Sequence, residues 1–449
     1  MPARVGERIA IFGIGYVGLV TAATFLRKGH RVVCVDVLKD RVAMINDGKS
    51  PIFEPGLEDE LEKGIRSGRL MATSDGVTAA RCSRFIFICV GTPSQPDGSI
   101  DLRFIRSVSK EIGKGLKGRK GFPIVVMKST VVPNTCETVV RPILERVSKM
   151  RAGKGFGLAC NPEFLKEGEA LKDSLHPDRI VIGGVDDRSR KAVEGLYKGM
   201  DAPLVLTDLT TAEMIKYASN AFLAVRVGLS NEIANICSAH GVDVYEVMKG
   251  VGLDKRIGPH FLRAGAGFGG SCFPKDLKAL RAAAEKAEVQ LKILPSVLDQ
   301  NEVQPLETVK LLKTVLKGLK GRRIALLGLA FKPDTDDVRE TRALPIAQAL
   351  LKEGAIVRLF DTNKAAMDNF RGLLKASKKV VECGSLEEAL KGSDGAIIQT
   401  ESKEFKALDP RRIKAWMRRP IIIDGRRALD PHLMKKAGIV YRGIGWKNR

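Results

Sequence analysis

The feature that most constrains the fold lies near the N-terminus, where the apolar run Arg8-Ile-Ala-Ile-Phe leads into Gly13, Gly15 and Gly18 in the spacing G-x-G-x-x-G. An apolar strand, closely spaced glycines and a helical stretch to Lys28 read as the start of a β-α-β unit. Glycines in that turn let the backbone come close to a pyrophosphate lying on a helix N-terminus. The spacing alone is a weak signal, and its context strengthens it. Gly29-His30 ends the helix, a second strand Arg31-Val-Val-Cys-Val follows, and Asp36 stands at its end. A carboxylate about 20 residues beyond the glycines is placed to accept hydrogen bonds from a ribose 2′-hydroxyl. Asp36 would repel a 2′-phosphate, which favours NAD over NADP, with nearby Arg41 tempering that preference.

Two further strands follow the same logic. Phe85-Ile-Phe-Ile-Cys-Val ends in Gly91-Thr92-Pro93, and Pro123-Ile-Val-Val-Met-Lys ends in Ser129-Thr130. Ligands of open α/β sheets bind beyond the carboxyl ends of the strands, so Thr92, Ser129 and Thr130 are candidates for lining the nicotinamide side. Next come Gly157-Leu-Ala-Cys-Asn161-Pro-Glu163-Phe-Leu-Lys-Glu167 and His176-Pro-Asp-Arg. If Glu163 and Glu167 share a helical turn, they face the same way.

A chain of 449 residues is too long for one core and implies two or three domains. No apolar run reaches the ~18 residues of a membrane span, and the lead-in Met-Pro-Ala-Arg-Val-Gly-Glu-Arg reads as part of the first domain rather than a signal peptide. The expected location is the cytoplasm. The eight cysteines are scattered singly, which argues against a metal site and a disulfide framework. The net charge of +23 is spread along the chain, and only five tyrosines and two tryptophans are available for base stacking. That pattern argues against nucleic acid and for anionic small ligands.

The middle of the chain is expected to be helical. Residues 207 to 241 read as one helix of roughly 30 residues, ~45 Å long, with Thr210 and Glu213 as a capping box and Gly241 as the stop. It would link two domains and help form a dimer, and Lys216 and Asn220 share one of its faces. Another long helix is expected from Asn301 to Lys317, after Pro295. Between them, residues 265 to 276 read Gly-Ala-Gly-Phe-Gly-Gly-Ser-Cys-Phe-Pro-Lys-Asp. Pro274 suits the first helical position, which puts Cys272 at a helix N-terminus near Lys275, an environment that favours the reactive thiolate.

The C-terminal part repeats the strand-and-helix pattern without the three glycines. Strands are expected at Arg322-Arg-Ile-Ala-Leu-Leu, Ala355-Ile-Val-Arg-Leu-Phe, Gly395-Ala-Ile-Ile and Pro420-Ile-Ile-Ile-Asp424. Lys332, Arg339, Arg426 and Arg427 at or beyond the strand ends suit the phosphates of a second ligand. The expected fold is α/β, with two doubly wound Rossmann-like domains joined by a long central helix and a helical middle domain. The expected division is 1–206, 207–300 and 301–449.

Together these stretches resemble the UDP-glucose/GDP-mannose dehydrogenase family along essentially the whole chain. The matching motifs are Gly13-Ile-Gly-Tyr-Val-Gly-Leu, Val90-Gly-Thr-Pro, Lys128-Ser-Thr, Asn161-Pro-Glu-Phe-Leu, Lys216 with Asn220, Arg256-Ile-Gly, Gly269-Gly-Ser-Cys-Phe-Pro-Lys-Asp, Phe331-Lys-Pro-Asp-Thr and Asp424-Gly-Arg. The resemblance implies an NAD-dependent oxidoreductase that takes a nucleotide sugar, UDP-glucose first, from C6 alcohol to carboxylate with two NAD. It implies Cys272 as the nucleophile that traps the aldehyde, and Lys216, Asn220 and Asp276 as the groups that steady oxyanions and move protons. Thr130, Glu163 and Glu167 would hold or activate the hydrolytic water. Gly13, Gly15, Gly18, Asp36, Arg41, Thr92, Thr130, Glu167, Lys275 and Arg339 would bind NAD. Glu163, Lys216, Asn220, Phe261 to Gly265, Gly269, Lys332 and Arg426 would bind the nucleotide sugar, with Arg256 reaching across a homodimer or a higher homo-oligomer. The chain departs from the family at Asn134, where glycine is common, and asparagine tolerates the left-handed conformation that such a turn needs. GDP-mannose or another nucleotide sugar stays open as the substrate. A two-electron hydroxyacid dehydrogenase would need neither Cys272 nor a second α/β domain, and a basic protein without catalysis would not need Cys272, Lys216 and Asp276.

Overall fold

The computed structural model of the chain describes residues 6–447. The first five residues of the lead-in read above lie outside the described part. The chain divides into two compact units between Ser219 and Asn220.

The first unit is built on eight strands: β1 Arg8–Phe12, β2 Arg31–Val35, β3 Leu70–Thr73, β4 Phe85–Ile88, β5 Ile124–Met127, β6 Gly157–Cys160, β7 Ile180–Gly184 and β8 Leu204–Thr207. They lie in the order β3-β2-β1-β4-β5-β6-β7-β8. Strands β1, β4, β5 and β6 are almost wholly apolar because helices cover both faces, so no alternation with polar residues is required. The core gathers Ile9, Ile11, Phe25, Phe85, Phe87 and Val126. All neighbours pair in parallel except β6 and β7, which run antiparallel through Ala159–Gly184 and Cys160–Gly183. That reversal was not legible in the sequence.

The second unit carries β9 Arg323–Leu327, β10 Ile356–Phe360, β11 Val380–Glu382, β12 Gly395–Ile398, β13 Ile421–Asp424 and β14 Val440–Gly443. Their order is β11-β10-β9-β12-β13-β14, and every pairing is parallel. Both sheets therefore reverse direction of growth beside their first strand, which opens a crevice at the strand ends. The fold is two doubly wound α/β domains with a helical middle region, as expected.

The long helix runs Leu209–His240. Its cap differs from the expected one. Asp208 Oδ1 accepts the Thr211 N–H at 2.8 Å, whereas Thr210 Oγ1 donates to Asn134 Oδ1 at 3.0 Å and Glu213 Oε1 accepts the Cys136 N–H at 2.8 Å. The Thr210–Glu213 capping box is thus replaced by tertiary bonds within the first unit. Gly241 stops the helix with φ +71°, and the Val242 N–H returns to the Cys237 carbonyl at 2.9 Å. The helix expected from Asn301 begins at Ile293 and runs to Leu316. Pro295 sits inside its first turn, where a missing N–H has no partner to lose.

Candidate active site

In the first unit, two of the three glycines, Gly13 and Gly18, stand where a side chain could not. Gly13 has φ +106°, and a Cβ there would lie 2.7 Å from the Cys89 carbonyl oxygen. A Cβ on Gly18 would lie 1.9 Å from the Gly13 carbonyl oxygen. Gly15 is the N-cap of the helix Tyr16–Arg27. Asp36 closes the turn, with Oδ2 accepting the Ile14 N–H at 2.9 Å and Oδ1 accepting the Leu38 N–H at 3.0 Å. Each carboxylate oxygen keeps a lone pair for another donor, and the side chain is half-buried. Arg41 reaches the Ile14 carbonyl at 3.3 Å. A bare turn with a helix N-terminus and an acid at its side fits the pyrophosphate and ribose of NAD.

At the neighbouring strand ends, Thr92 Oγ1 donates to the Thr130 carbonyl at 3.0 Å. The Ser129 hydroxyl is taken up by the Val90 carbonyl at 2.6 Å, which makes it a brace between β4 and β5. Asn134, with φ +71°, keeps the turn that follows.

Glu163 and Glu167 do not share a helical turn, because residues 161 to 167 form an irregular loop. Glu163 is buried: its Oε1 pairs with Lys216 Nζ at 3.1 Å and its Oε2 accepts the Leu165 N–H at 2.6 Å, a local bond that competes with helix. Burial pushes its carboxyl up, but the charges of Lys216 and Lys128 and the Leu165 N–H outweigh it, so the group stays below the usual carboxylate range. Glu167 is half-buried just beyond, before Gly168, whose N–H is held by Glu54 Oε2 at 2.8 Å. Glu54, a buried acid, drew no attention in the sequence, and its neighbours Pro51-Ile-Phe and Pro55-Gly gave no chemical signal.

In the second unit, Cys272 is the N-cap of the helix Phe273–Lys286, with Pro274 one position further in than expected. The thiol is exposed and in no disulfide. The Asp276 N–H closes the first turn on the Cys272 carbonyl at 2.8 Å. The buried Asp276 side chain accepts from Asn220 Nδ2 at 2.6 Å and from Lys275 Nζ at 2.5 Å. A carboxylate held by an amide and an ammonium, one helical turn from an exposed cysteine, is fixed in place.

The glycine loop ahead of Cys272 is clamped by three buried amides that the sequence reading missed. Asn231 Oδ1 accepts the Gly265 N–H at 2.8 Å, Gln304 Nε2 donates to the Gly265 carbonyl at 2.9 Å, and Asn301 bonds both main-chain groups of Phe268 at 2.7 and 2.9 Å. Their signal was available as polar residues on otherwise apolar helical faces. Gly269 is pressed against the Glu340 carbonyl, 2.4 Å from where a Cβ would stand. Gly265 faces Arg426, whose Nε donates to the Gln399 carbonyl at 2.8 Å. Phe261 opens this stretch at φ +59°, and Lys332 lies over the Phe331 ring, 5.5 Å from its centroid. Arg339 is gripped by Asp337 at 2.7 Å and Arg256 by Asp254 at 2.6 Å, both with exposed guanidinium groups. Arg427 pairs with Asp243 and covers the Tyr245 ring.

Comparison with known proteins accords with this geometry. The models of the UDP-glucose/GDP-mannose dehydrogenase family match in three parts: the NAD binding domain at residues 7–201, the central domain at 210–303 and the UDP binding domain at 325–431. UDP-glucose 6-dehydrogenase TuaD of Bacillus subtilis is 41% identical, over 98% of this chain and 93% of its own. GDP-mannose 6-dehydrogenase of Pseudomonas syringae is also 41% identical, over 89% of this chain and 92% of its own. The solved structure of a UDP-glucose dehydrogenase from Pyrobaculum islandicum superposes with a TM-score of 0.90 at 40% identity, covering 98% of each chain.

Proposed function

The chain belongs to the UDP-glucose/GDP-mannose dehydrogenase family, and on that premise we propose that it oxidises C6 of UDP-glucose from alcohol to carboxylate, reducing two NAD per sugar. The observation that carries the reading is Cys272 at a helix start above the Asn220–Asp276–Lys275 cluster. A simple alcohol oxidation needs no nucleophile. An aldehyde, by contrast, has no hydride to give up until something adds to its carbonyl.

NAD, held at Gly13, Gly15, Gly18 and Asp36, supplies the hydride acceptor. The protein groups do the rest. Lys216, beside Glu163, steadies the C6 alkoxide as its proton leaves. Cys272 sulfur then bonds to the aldehyde carbon, and the carbonyl oxygen, stabilised by Lys216 and Asn220, becomes the oxyanion of a thiohemiacetal. Loss of the second hydride leaves a thioester on Cys272. Water, positioned by Thr130, Glu163 and Glu167 and relieved of its proton by way of Asp276, breaks the carbon–sulfur bond and frees the carboxylate and the thiol. The balance is one alcohol, two NAD⁺ and one water giving one carboxylate, two NADH and three protons. Lys216 and Asn220 stand one turn apart on one helix, which supports their acting together.

The reading assigns residues 1–206 to NAD, 207–300 to the catalytic middle and 301–449 to the nucleotide sugar, where Lys332 and Arg426 meet the phosphates, with Arg339 serving NAD. It also makes the protein a cytoplasmic homodimer. Phe222, Leu229 and Ile236 recur every seven residues on the long helix and are 74, 55 and 52% exposed, an apolar stripe suited to a second copy. Arg256 would then serve the partner's site. Among the described residues, no helix is long and apolar enough to cross a membrane.

The test is NADH formation by purified protein with UDP-glucose, GDP-mannose and UDP-N-acetyl sugars. The highest kcat/KM is expected with UDP-glucose, and a preference for GDP-mannose, which the Pseudomonas relative's name makes the second reading, would reassign the substrate. Cys272→Ser is expected to bind UDP-glucose within about threefold of wild type and to lose net turnover by ~10³-fold or more; unchanged turnover would remove the cysteine from the reaction.

A further inference from the structure

Within the first unit, beside the Glu163–Lys216 pair, lies a cavity of about 60 Å³ whose walls include Lys128, Asn161, Glu163, His176 and Tyr197. Lys128 follows β5 and its side chain is buried. Lysines are seldom buried without a carboxylate in contact. Among the described residues, Lys128 has no such ion pair, and its ammonium donates to an amide, Asn161 Oδ1, at 2.9 Å. The Tyr197 hydroxyl shares that oxygen at 2.5 Å, while Asn161 Nδ2 donates to the Val181 carbonyl at 2.7 Å. Asn161 is therefore fixed on three sides, and Glu163 is two residues along. An ammonium has three donors, and the polar cavity has room for water to take the others.

We infer that Lys128 is a positioning residue for the proposed oxidation: its ammonium fixes the Asn161–Glu163 loop through the Asn161 amide and adds positive charge beside the Glu163 carboxylate that faces Lys216. The inference rests on the reading above. The groups facing Lys128 are Cys89 beyond β4, Cys160 on β6, Glu163, Lys216 on the long helix and Tyr197 on the helix Asp187–Tyr197. Asp173, His176, Asp178 and Arg179 stand around the cavity. Burial pushes the ammonium down to about 8, against Cys89, Glu163 and Cys160, which hold it up, and with Lys216, which lowers it further. Its charge in turn helps hold Glu163 low. An uncompensated buried charge disfavours folding, so a purely structural account predicts no advantage in keeping it.

The experiment compares Lys128→Met and Lys128→Arg with wild type in the full chain, using the nucleotide sugar that wild type oxidises fastest. Lys128→Met is expected to lower kcat by about 10- to 100-fold with KM for sugar and NAD changed less than about threefold. The acid limb of its kcat profile moves to higher pH by about one unit, because Glu163 without that neighbour binds its proton more readily. Its Tm at pH 7 stays at or above that of wild type, since a desolvated charge has gone. Lys128→Arg, which keeps the positive charge, is expected to keep the acid limb of wild type. An unmoved acid limb in Lys128→Met overturns the inference, whatever its kcat, and so does an acid limb in Lys128→Arg that moves as far as that of Lys128→Met. If Lys128→Met does not fold, Lys128→Gln takes its place, with the same expected and overturning results. Wild-type turnover with unaltered variant profiles overturns this role only, whereas a wild type that oxidises no nucleotide sugar overturns the parent reading and this role with it.

Discussion

The two sheets begin with the same device and finish it differently. In the first, the Gly13 N–H bonds the Val35 carbonyl at 2.8 Å and Asp36 takes the Ile14 N–H at 2.9 Å; in the second, the Gly328 N–H bonds the Phe360 carbonyl at 2.9 Å and Asp361 takes the Leu329 N–H at 2.6 Å. After that the two diverge. Gly15 and Gly18 put a helix start directly behind the first turn, whereas Ala330 and Pro333 follow in the second and the next helix waits until Ala343. Asp36 is half-buried and accessible, while Asp361 is buried. A backbone cradle is therefore available only in the first unit. In the second, on the proposed reading, phosphate recognition would fall to side-chain cations, Lys332 and Arg426 among them, and no glycine fingerprint would be needed.

The largest effect that would break this contrast comes from Gly18→Ala. Its Cβ would stand 1.9 Å from a carbonyl oxygen, so the turn must move, and we expect NADH fluorescence titration to show about 100-fold weaker binding with UDP-glucose binding kept. Gly328→Ala, at φ +87° and with a Cβ 2.5 Å from Thr400, is equally crowded; it should lower Tm and leave NADH binding within about threefold. Equal loss of NADH affinity in both variants would end the distinction. A smaller effect follows from the side-chain reading. Lys332→Ala or Arg426→Ala should weaken UDP-glucose by about tenfold in calorimetry, and the deficit should shrink between low and high salt because both side chains are only half-buried and their charge interactions are in part screened. A backbone cradle would show less of that salt dependence.

The smallest effect concerns Glu213, whose carboxyl burial pushes up to about 7, offset in part by the Cys136 N–H. With the folded value raised, its contribution to stability is fully present below the unfolded value near 4.5 and is lost as pH rises through 7. Glu213→Gln should therefore raise Tm by a few degrees at pH 8, at about 2–4 °C per kcal/mol, and by nothing at pH 5. A gain of the same size at both pH values would show that charge is not the cause.

These particulars also mark what the sequence could reveal. The first turn was legible because its requirements are local: a Cβ at Gly13 or Gly18 collides within a few residues or with the adjoining strand. Cys272 was legible for a similar reason, since a cysteine ahead of Phe-Pro-Lys-Asp sits at a helix start by local rules. Glu213 was misread because a tertiary donor, the Cys136 N–H, took the carboxylate that a capping box would have used. The loop after Asn161 was not legible because Glu163 bonds its own Leu165 N–H instead of entering a helix. The antiparallel β6–β7 pairing depends on connections that periodicity does not record. Asn231, Asn301 and Gln304 act only through the folded glycine loop, so their one local sign, a polar residue on an otherwise apolar helical face, did not say what they hold.

The central claim is that Cys272 exists to hold the aldehyde for a second oxidation. It is tested most directly by counting NADH formed per UDP-glucose consumed at completion with wild-type protein. The account predicts a value of about two, with UDP-glucuronate as the product; a value near one, with free aldehyde accumulating, would contradict it.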